Sequence, residues 1–304
     1  MNELQIDKQN GNIGFNEAAH KYFDLTDPSI KFTSVTTMIE EFAQPFDKEF
    51  WSAYKAMEKL LDADSWKLEK KSLLSTKKFD NSLLELHDID INLFNKTQQG
   101  ILDDWDAENR RSCERGTKIH SELENSMYKA KRNINLSKYQ IGGRFECQKD
   151  RTTLDLENAV YPEYLIHWDS PSGKLHIAGQ IDLLVKKGNS ITIGDYKTNK
   201  KIETKSFFDS KIRSSVKMKF PLNNLDDCNY YHYCLQLSTY AYIIESYNPD
   251  FTIEELVLVH FDHQDNMTVY KLPYLKKEVE RMLSFYEKEH LLAERRLKNK
   301  RIEY

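Results

Sequence analysis

No run of apolar residues in this chain approaches twenty, the length a helix needs to cross a hydrocarbon core. The first residues, Met1-Asn2-Glu3-Leu4-Gln5, are polar, so neither a membrane span nor a signal peptide is expected. Cysteine is scarce as well. The four present, Cys113, Cys147, Cys228 and Cys234, form no Cys-x-x-Cys pair and fall far short of a disulfide scaffold, which favours a reducing, cytoplasmic setting. Nor is there an excess of positive charge: the formal net charge is -4, which argues against a generally basic nucleic-acid binder. A local one is still allowed, because binding responds to the field over a cleft more than to the sum. With 304 residues, 39% hydrophobic and 30% charged, the composition suits a globular protein with one large domain or a core with a sizeable appendage.

The stretch with the most chemistry in it runs from Lys174 to Lys197. Lys174 to Val185 alternates and is β-branched or aliphatic, Lys187-Gly188-Asn189-Ser190 interrupts it, and Ile191 to Tyr196 resumes the alternation. This predicts a β-hairpin with a two-residue Gly-Asn loop. Lys187 then faces Ser190, and counting back in register sets Asp182 opposite Asp195. Lys197 returns to the same face because strand side chains alternate with period two. Carboxylates held about 4.5–5.5 Å apart destabilise a sheet unless something positive lies between them. A hard cation such as Mg²⁺ suits that gap, and with Lys197 beside it the group can polarise a phosphate and hold or activate a water. Taken alone, the same residues also fit an ordinary exposed strand face on which Asp182 pairs with Lys197.

Elsewhere the pattern is coarser. Residues 12–25 look extended, and Ser34-Val35-Thr36-Thr37 leads into a helix that a hydroxyl can cap. From Phe46 to Tyr128 the reading is mainly helical, with no clear strand between Trp66 and Gln99. Gly116, His120 and Glu124 recur every four residues and share a helix face. Val160 to Trp168 reads as a strand, Tyr230 to Tyr247 as an aromatic helix, Leu256 to Phe261 and Met267 to Tyr270 as late strands, and the chain from about Leu275 as a long helix. After the hairpin, Lys197, Lys200, Lys201, Lys205, Lys211, Arg213, Lys217 and Lys219 outnumber Glu203 and Asp209. That is either a local nucleic-acid contact or a solvated loop.

Gly179-Gln180-Ile181-Asp182, a short hairpin, then Asp195-Tyr196-Lys197 resembles the Gly-x-x-Asp and Asp-x-Lys motifs of the PD-(D/E)XK nucleases. Two further matches point to the RecB-type branch: Arg115-Gly116-Thr117-x-x-His120 upstream, and Gln236-x-x-x-Tyr240 downstream. The extended opening followed by Ser-Val-Thr-Thr is similar to phage-encoded exonucleases and mitochondrial genome maintenance exonucleases.

The resemblance implies an α/β fold: a restriction-endonuclease-like core, with a central mixed sheet flanked by helices and an N-terminal helical extension. It implies a division into residues 1–103, a hairpin and helical region, and residues 104–304, the nuclease core. It also implies roles. Asp182, Asp195, His120 and the backbone carbonyl of Tyr196 bind Mg²⁺, or Mn²⁺, and Glu163 completes the metal shell or orients a water. Lys197 positions or deprotonates the attacking water. Gln236 and Tyr240 contact substrate or the lysine, and Arg115 and Lys200 contact phosphate. No iron-sulfur cluster is expected, because Cys228 and Cys234 precede Gln236 and no cysteine follows it; the thiols are read as packing residues.

The implied activity is metal-dependent hydrolysis of DNA from single-stranded ends, with replication or recombination proteins as partners and no membrane. The setting expected is the cytoplasm of a bacterium or of a phage-infected host. An endonuclease, the nuclease part of a helicase-coupled complex, or a non-catalytic nucleic-acid binder on a nuclease fold are the alternatives.

Overall fold

The computed structural model describes residues 6–129, 135–136, 139–140, 158–209 and 213–302. Cys147 and Lys211 lie outside the described residues. The chain forms two compact units. The first comprises Met1–Gln44, Lys118–Ser206 and Lys217–Tyr304, and the second Pro45–Thr117 and Phe207–Val216. This division differs from consecutive segments 1–103 and 104–304. The start of the chain belongs with the large sheet, because the strand at residues 32–34 pairs into it and the helix that follows packs on it.

In the first unit, β1 (Lys8–Asn10), β2 (Ile13–Asn16) and β3 (Lys21–Asp24) make a small antiparallel sheet. Next come β4 (Phe32–Ser34) and α1 (Val35–Glu40). Ser34 caps that helix, its side chain accepting from the Thr37 amide at 3.0 Å. The two-residue strands β5 (Asn135–Leu136) and β6 (Tyr139–Gln140) pair with each other. The main sheet is built from β4, β7 (Ala159–Asp169), β8 (His176–Lys187), β9 (Ser190–Lys197), β12 (Thr252–Phe261) and β13 (Met267–Leu272). Its order is β13-β12-β9-β8-β4, with β7 also on β8. β9 runs parallel to β12, and β4 parallel to β8; the other pairs are antiparallel. The sheet is therefore mixed.

Period-two alternation sends side chains to two faces, and both are covered. Ile177, Ile181, Leu184, Ile191 and Ile193 pack with Met38 and Ile39 of α1, with Leu237, Ala241 and Ile244 of α6 (Asn229–Tyr247), and with Val279 and Met282 of α7 (Lys276–Ile302). On the other face Val160, Leu183, Val185, Tyr196, Val257 and Val259 cluster, with Leu123 and Met127 of α5 (Ile91–Lys129) against them. The fold is α/β, a central mixed sheet flanked by helices, as the sequence leads one to expect. Among the described residues no helix is long and apolar enough to cross a membrane.

The second unit holds α2 (Lys48–Leu60), α3 (Ala63–Thr76), α4 (Ser82–Leu86) and the first part of α5, packed around Ala53, Ala56, Met57, Leu84, Phe94 and Ile101. Asp47 and Asp62 cap α2 and α3 by accepting from backbone amides. A two-stranded ribbon of β10 (Phe208–Asp209) and β11 (Ser214–Ser215) completes it.

One glycine fixes how closely α6 meets the sheet. A Cβ on Gly179 of β8 would lie 2.5 Å from Cε1 of Tyr240, a fully buried ring on α6. Gly179→Ala is therefore expected to destabilise the protein by about 1–3 kcal/mol, the usual range for forced overpacking. Urea denaturation of the two proteins measures it, and an unchanged midpoint would show that the ring can retreat freely.

Candidate metal and hydrolytic site

The hairpin forms with its expected register. Gly188, at φ 58°, opens the two-residue loop, and pairs run from Lys187↔Ser190 to Leu183↔Gly194. There the β8–β9 ladder ends, one step short of Asp182 and Asp195. The strands part, and the Tyr196 amide donates to Asp182 Oδ2 at 2.7 Å in place of a backbone carbonyl. Along the same edge of β8, β4 pairs only with His176 to Ala178. Residues 179–182 of that edge thus lie in a gap between two partner strands.

The ladder on the other side of Asp182 is interrupted as well. β7 and β8 pair at Pro162↔Leu183 and Tyr164↔Ile181, skipping Glu163 and Asp182 between them. Glu163 has φ 52°, in the left-handed region, although it lies within a strand. The other described non-glycine residues with positive φ lie outside strands. A conformation of this kind costs about 1–3 kcal/mol and persists only where surrounding contacts impose it.

His120, on α5, meets these groups. Its Nε2 faces the Tyr196 carbonyl at 3.0 Å, and since a carbonyl only accepts, that nitrogen carries a proton. Nδ1 points to Asp182 Oδ2 at 3.5 Å and Glu163 Oε1 at 3.7 Å. One ligand atom from each of His120, Glu163 and Asp182 lies within 4.8 Å of the others, so the three can hold a metal ion. In the neutral ring Nδ1 is the lone-pair nitrogen, and it faces the carboxylates. One imidazole with carboxylate oxygens is a donor set suited to Mn²⁺ and acceptable to Mg²⁺.

Asp195 sits deeper, 1% exposed against 7% for Asp182. Lys197 Nζ lies 2.5 Å from its Oδ2, a charge contact outside hydrogen-bond alignment, and Gln236 Nε2 donates to its Oδ1 at 3.1 Å. The same Gln236 nitrogen lies 3.1 Å from the Tyr240 hydroxyl. Gln236 and Tyr240, for which contact with substrate or the lysine is expected, are both buried; Gln236 holds the Asp195 carboxylate and Tyr240 receives the same amide.

Tyr233, one turn earlier on α6, extends the stripe. Lys197 Nζ lies 5.1 Å from its ring centre, and its hydroxyl donates to Asn199 Oδ1 at 2.6 Å. His260 of β12 donates from Nε2 to the Asn199 carbonyl at 2.6 Å, pinning the loop after β9. Tyr233 had a sequence signal, its three-residue spacing from Gln236; His260 and Asn199 had none.

Asp195 is not one of the three clustered ligands, and the Tyr196 carbonyl accepts from His120. Lys200 is exposed in the loop after β9, and Arg115 belongs to the second unit, five residues before His120 on α5. Within the basic segment several lysines have partners. Lys201 pairs with Glu203 at 2.8 Å, Lys217 with Asp226 at 2.5 Å, and Lys219 donates to the Glu41 carbonyl at 3.0 Å. Cys228 and Cys234 are buried and Cys113 is exposed.

Comparison with known proteins adds little. No family model and no curated protein matches this chain. Among solved structures, the protein SSO0001 overlaps 41% of this chain at 18% identity and a TM-score of 0.25; the match spans about half, 47%, of that protein. A Eubacterium rectale protein named as an inferred exonuclease overlaps 86% of this chain and 80% of its own length, at 11% identity and a TM-score of 0.33. At such scores neither likeness identifies an activity.

The carboxylates and the histidine titrate as a coupled set. Burial, then the Asp195 charge, pushes the Asp182 carboxyl up to about 8. Burial alone would lower His120, but Glu163 and Asp182 outweigh it and raise the imidazole to about 9. Glu163 goes the other way: burial raises it, and His120 and Lys8 more than reverse that.

Folded Asp182 and His120 therefore both hold protons that the unfolded chain has released between about 6.5 and 8. Their contribution to stability is lost as pH rises through that window, and Glu163 contributes no opposing change there. In EDTA the melting temperature is expected to fall from pH 6.5 to pH 9, less steeply in His120→Gln. A flat or rising profile would contradict this assignment of protons.

Proposed function

We propose that the protein is a metal-dependent deoxyribonuclease of the PD-(D/E)XK type, RecB branch, acting as an exonuclease on single-stranded ends. The observation that carries this reading is the convergence of Asp182, Asp195 and Lys197 where β8 and β9 part, with His120 and Glu163 beside Asp182. Carboxylates gathered in a buried site are costly unless a cation is bound. His120, Glu163 and Asp182 would hold Mg²⁺ or Mn²⁺, and Asp195 adjoins them through the splayed hairpin. Such an ion supplies Lewis-acid polarisation of a phosphoryl oxygen.

The protein's own groups set the rest. Burial would lower Lys197, but the Asp195 and Asp182 charges more than compensate and hold it above its ordinary value. It stays an ammonium, and the role that fits is orienting water and balancing charge at phosphorus rather than taking the proton. Gln236 and Tyr233 keep Asp195 and Lys197 in place. In-line attack of water then breaks one P–O bond and leaves a phosphate monoester and a hydroxyl. The preference for DNA and for single-stranded ends rests on the sequence resemblance, as does a setting in replication, recombination or repair.

The test is degradation of end-labelled linear single-stranded, linear duplex and circular DNA with Mg²⁺, Mn²⁺ or EDTA. Loss of linear single strands in metal, with circles spared, is expected, and Lys197→Ala should cut the rate about 10²–10³-fold. Cutting of circles would make the protein an endonuclease. Salt-sensitive binding without turnover in any metal would make it a binding protein.

A further inference from the structure

Lys8 is 155 residues from Glu163 in sequence and belongs to a different sheet, yet the two form a part-buried contact. Its Nζ lies 3.3 Å from Glu163 Oε2, 3.2 Å from Glu17 Oε1 and 3.5 Å from Glu124 Oε2. Glu17 follows β2, and Glu124 stands one turn beyond His120 on α5. One ammonium thus ties the small N-terminal sheet and α5 to the strained position on β7.

The two oxygens of Glu163 have different company. Oε2 takes Lys8 and the side-chain amide of Gln180. Oε1 faces His120 Nδ1. We propose that Lys8 is a positioning residue that holds Glu163 by Oε2, so that Oε1 is the oxygen presented to the metal cluster. This rests on reading His120, Glu163 and Asp182 as a metal site.

Three observations favour it. Glu163 has a left-handed backbone inside a strand, so its carboxylate needs an external hold to keep one direction. Lys8 is itself pinned by two further carboxylates, so it supplies a fixed point rather than a flexible tether. Gln180 gives the same oxygen a second donor, and its own Oε1 is buried with no hydrogen-bond partner among the described residues. Among the described residues, the hydrogen bond its side chain makes is the one to Glu163.

The rival role for Lys8 is that of a stand-in cation displaced when metal binds. Its contact on the oxygen turned from His120 argues against that. The two roles also predict opposite signs: loss of a positioning residue weakens metal binding, and loss of a competitor tightens it.

The experiment is Mn²⁺ titration of the full chain by calorimetry, at one pH, for wild type, Lys8→Gln, Lys8→Arg and Gln180→Leu, with circular dichroism of each. Removing groups that orient metal ligands usually weakens binding about 10–100-fold, and that loss is expected for Lys8→Gln, with partial recovery in Lys8→Arg. Gln180→Leu should shift affinity in the same direction, and it decides the matter if Lys8→Gln does not fold. Unchanged or tighter binding in Lys8→Gln or, failing that, Gln180→Leu overturns the proposal. A wild type that binds no Mn²⁺ removes the metal reading and this inference with it. Metal binding without DNA cleavage would defeat only the nuclease reading and leave the effect of Lys8 measurable.

Discussion

The hydrogen bond from the Tyr196 amide to the Asp182 carboxylate is the contact on which the site depends. It replaces the backbone pair that would have continued the β8–β9 ladder, so the strands part at the position where two carboxylates would otherwise face each other. A closed ladder would leave like charges opposed with no room for water or cation. The opened one keeps both backbone groups of Tyr196 in use, its amide on Asp182 and its carbonyl on His120, while its ring packs in the core beside Val257 and Val259. The residue between the two motif positions of Asp-x-Lys is therefore the structural pivot, although its side chain does no chemistry.

Around that pivot, support is layered by secondary structure. α6 faces the site with Tyr233, Gln236 and Tyr240, at spacings of three and four residues, which touch Lys197, Asp195 and Gly179 in turn. α5 brings His120 to the opposite side of Tyr196. Each helix is held to the sheet by apolar burial, and the polar contacts use the geometry that burial fixes. Hydrogen bonds within such a network reinforce one another in a low-dielectric setting, and a missing partner is correspondingly costly.

The sequence makes much of this legible. The hairpin register, the alternation of β7 and the helix at residues 229–247 follow from local patterns, and local patterns are what periodicity reports. The placement of Asp182, Asp195 and Lys197 follows from counting along one hairpin. What stayed hidden depends on long-range contact. No spacing reveals that Lys8 reaches Glu163, that His260 pins Asn199, or that Gln236 turns inward to Asp195. The basic run at residues 197–219 shows a related limit: charge counted along the chain does not reveal the carboxylates that fold against Lys201 and Lys217. The interruption at Glu163 was equally invisible, since a glutamate in a strand does not announce a left-handed backbone.

The pairing of β4 with β8 bears on how the molecule is assembled. Phe32 and His176 are partners across 144 residues of chain, and the parallel contact cannot form until both segments exist. Closing so long a loop carries an entropic cost that grows only slowly with length, but non-local parallel pairing of this sort is a late event in folding. Until it is complete, residues 176–178 on that edge of β8 have unpaired amides and carbonyls open to a neighbouring chain. During synthesis the stretch of β8 just before the candidate site is thus a sticky edge, and β4, made earlier and docked late, is its cover.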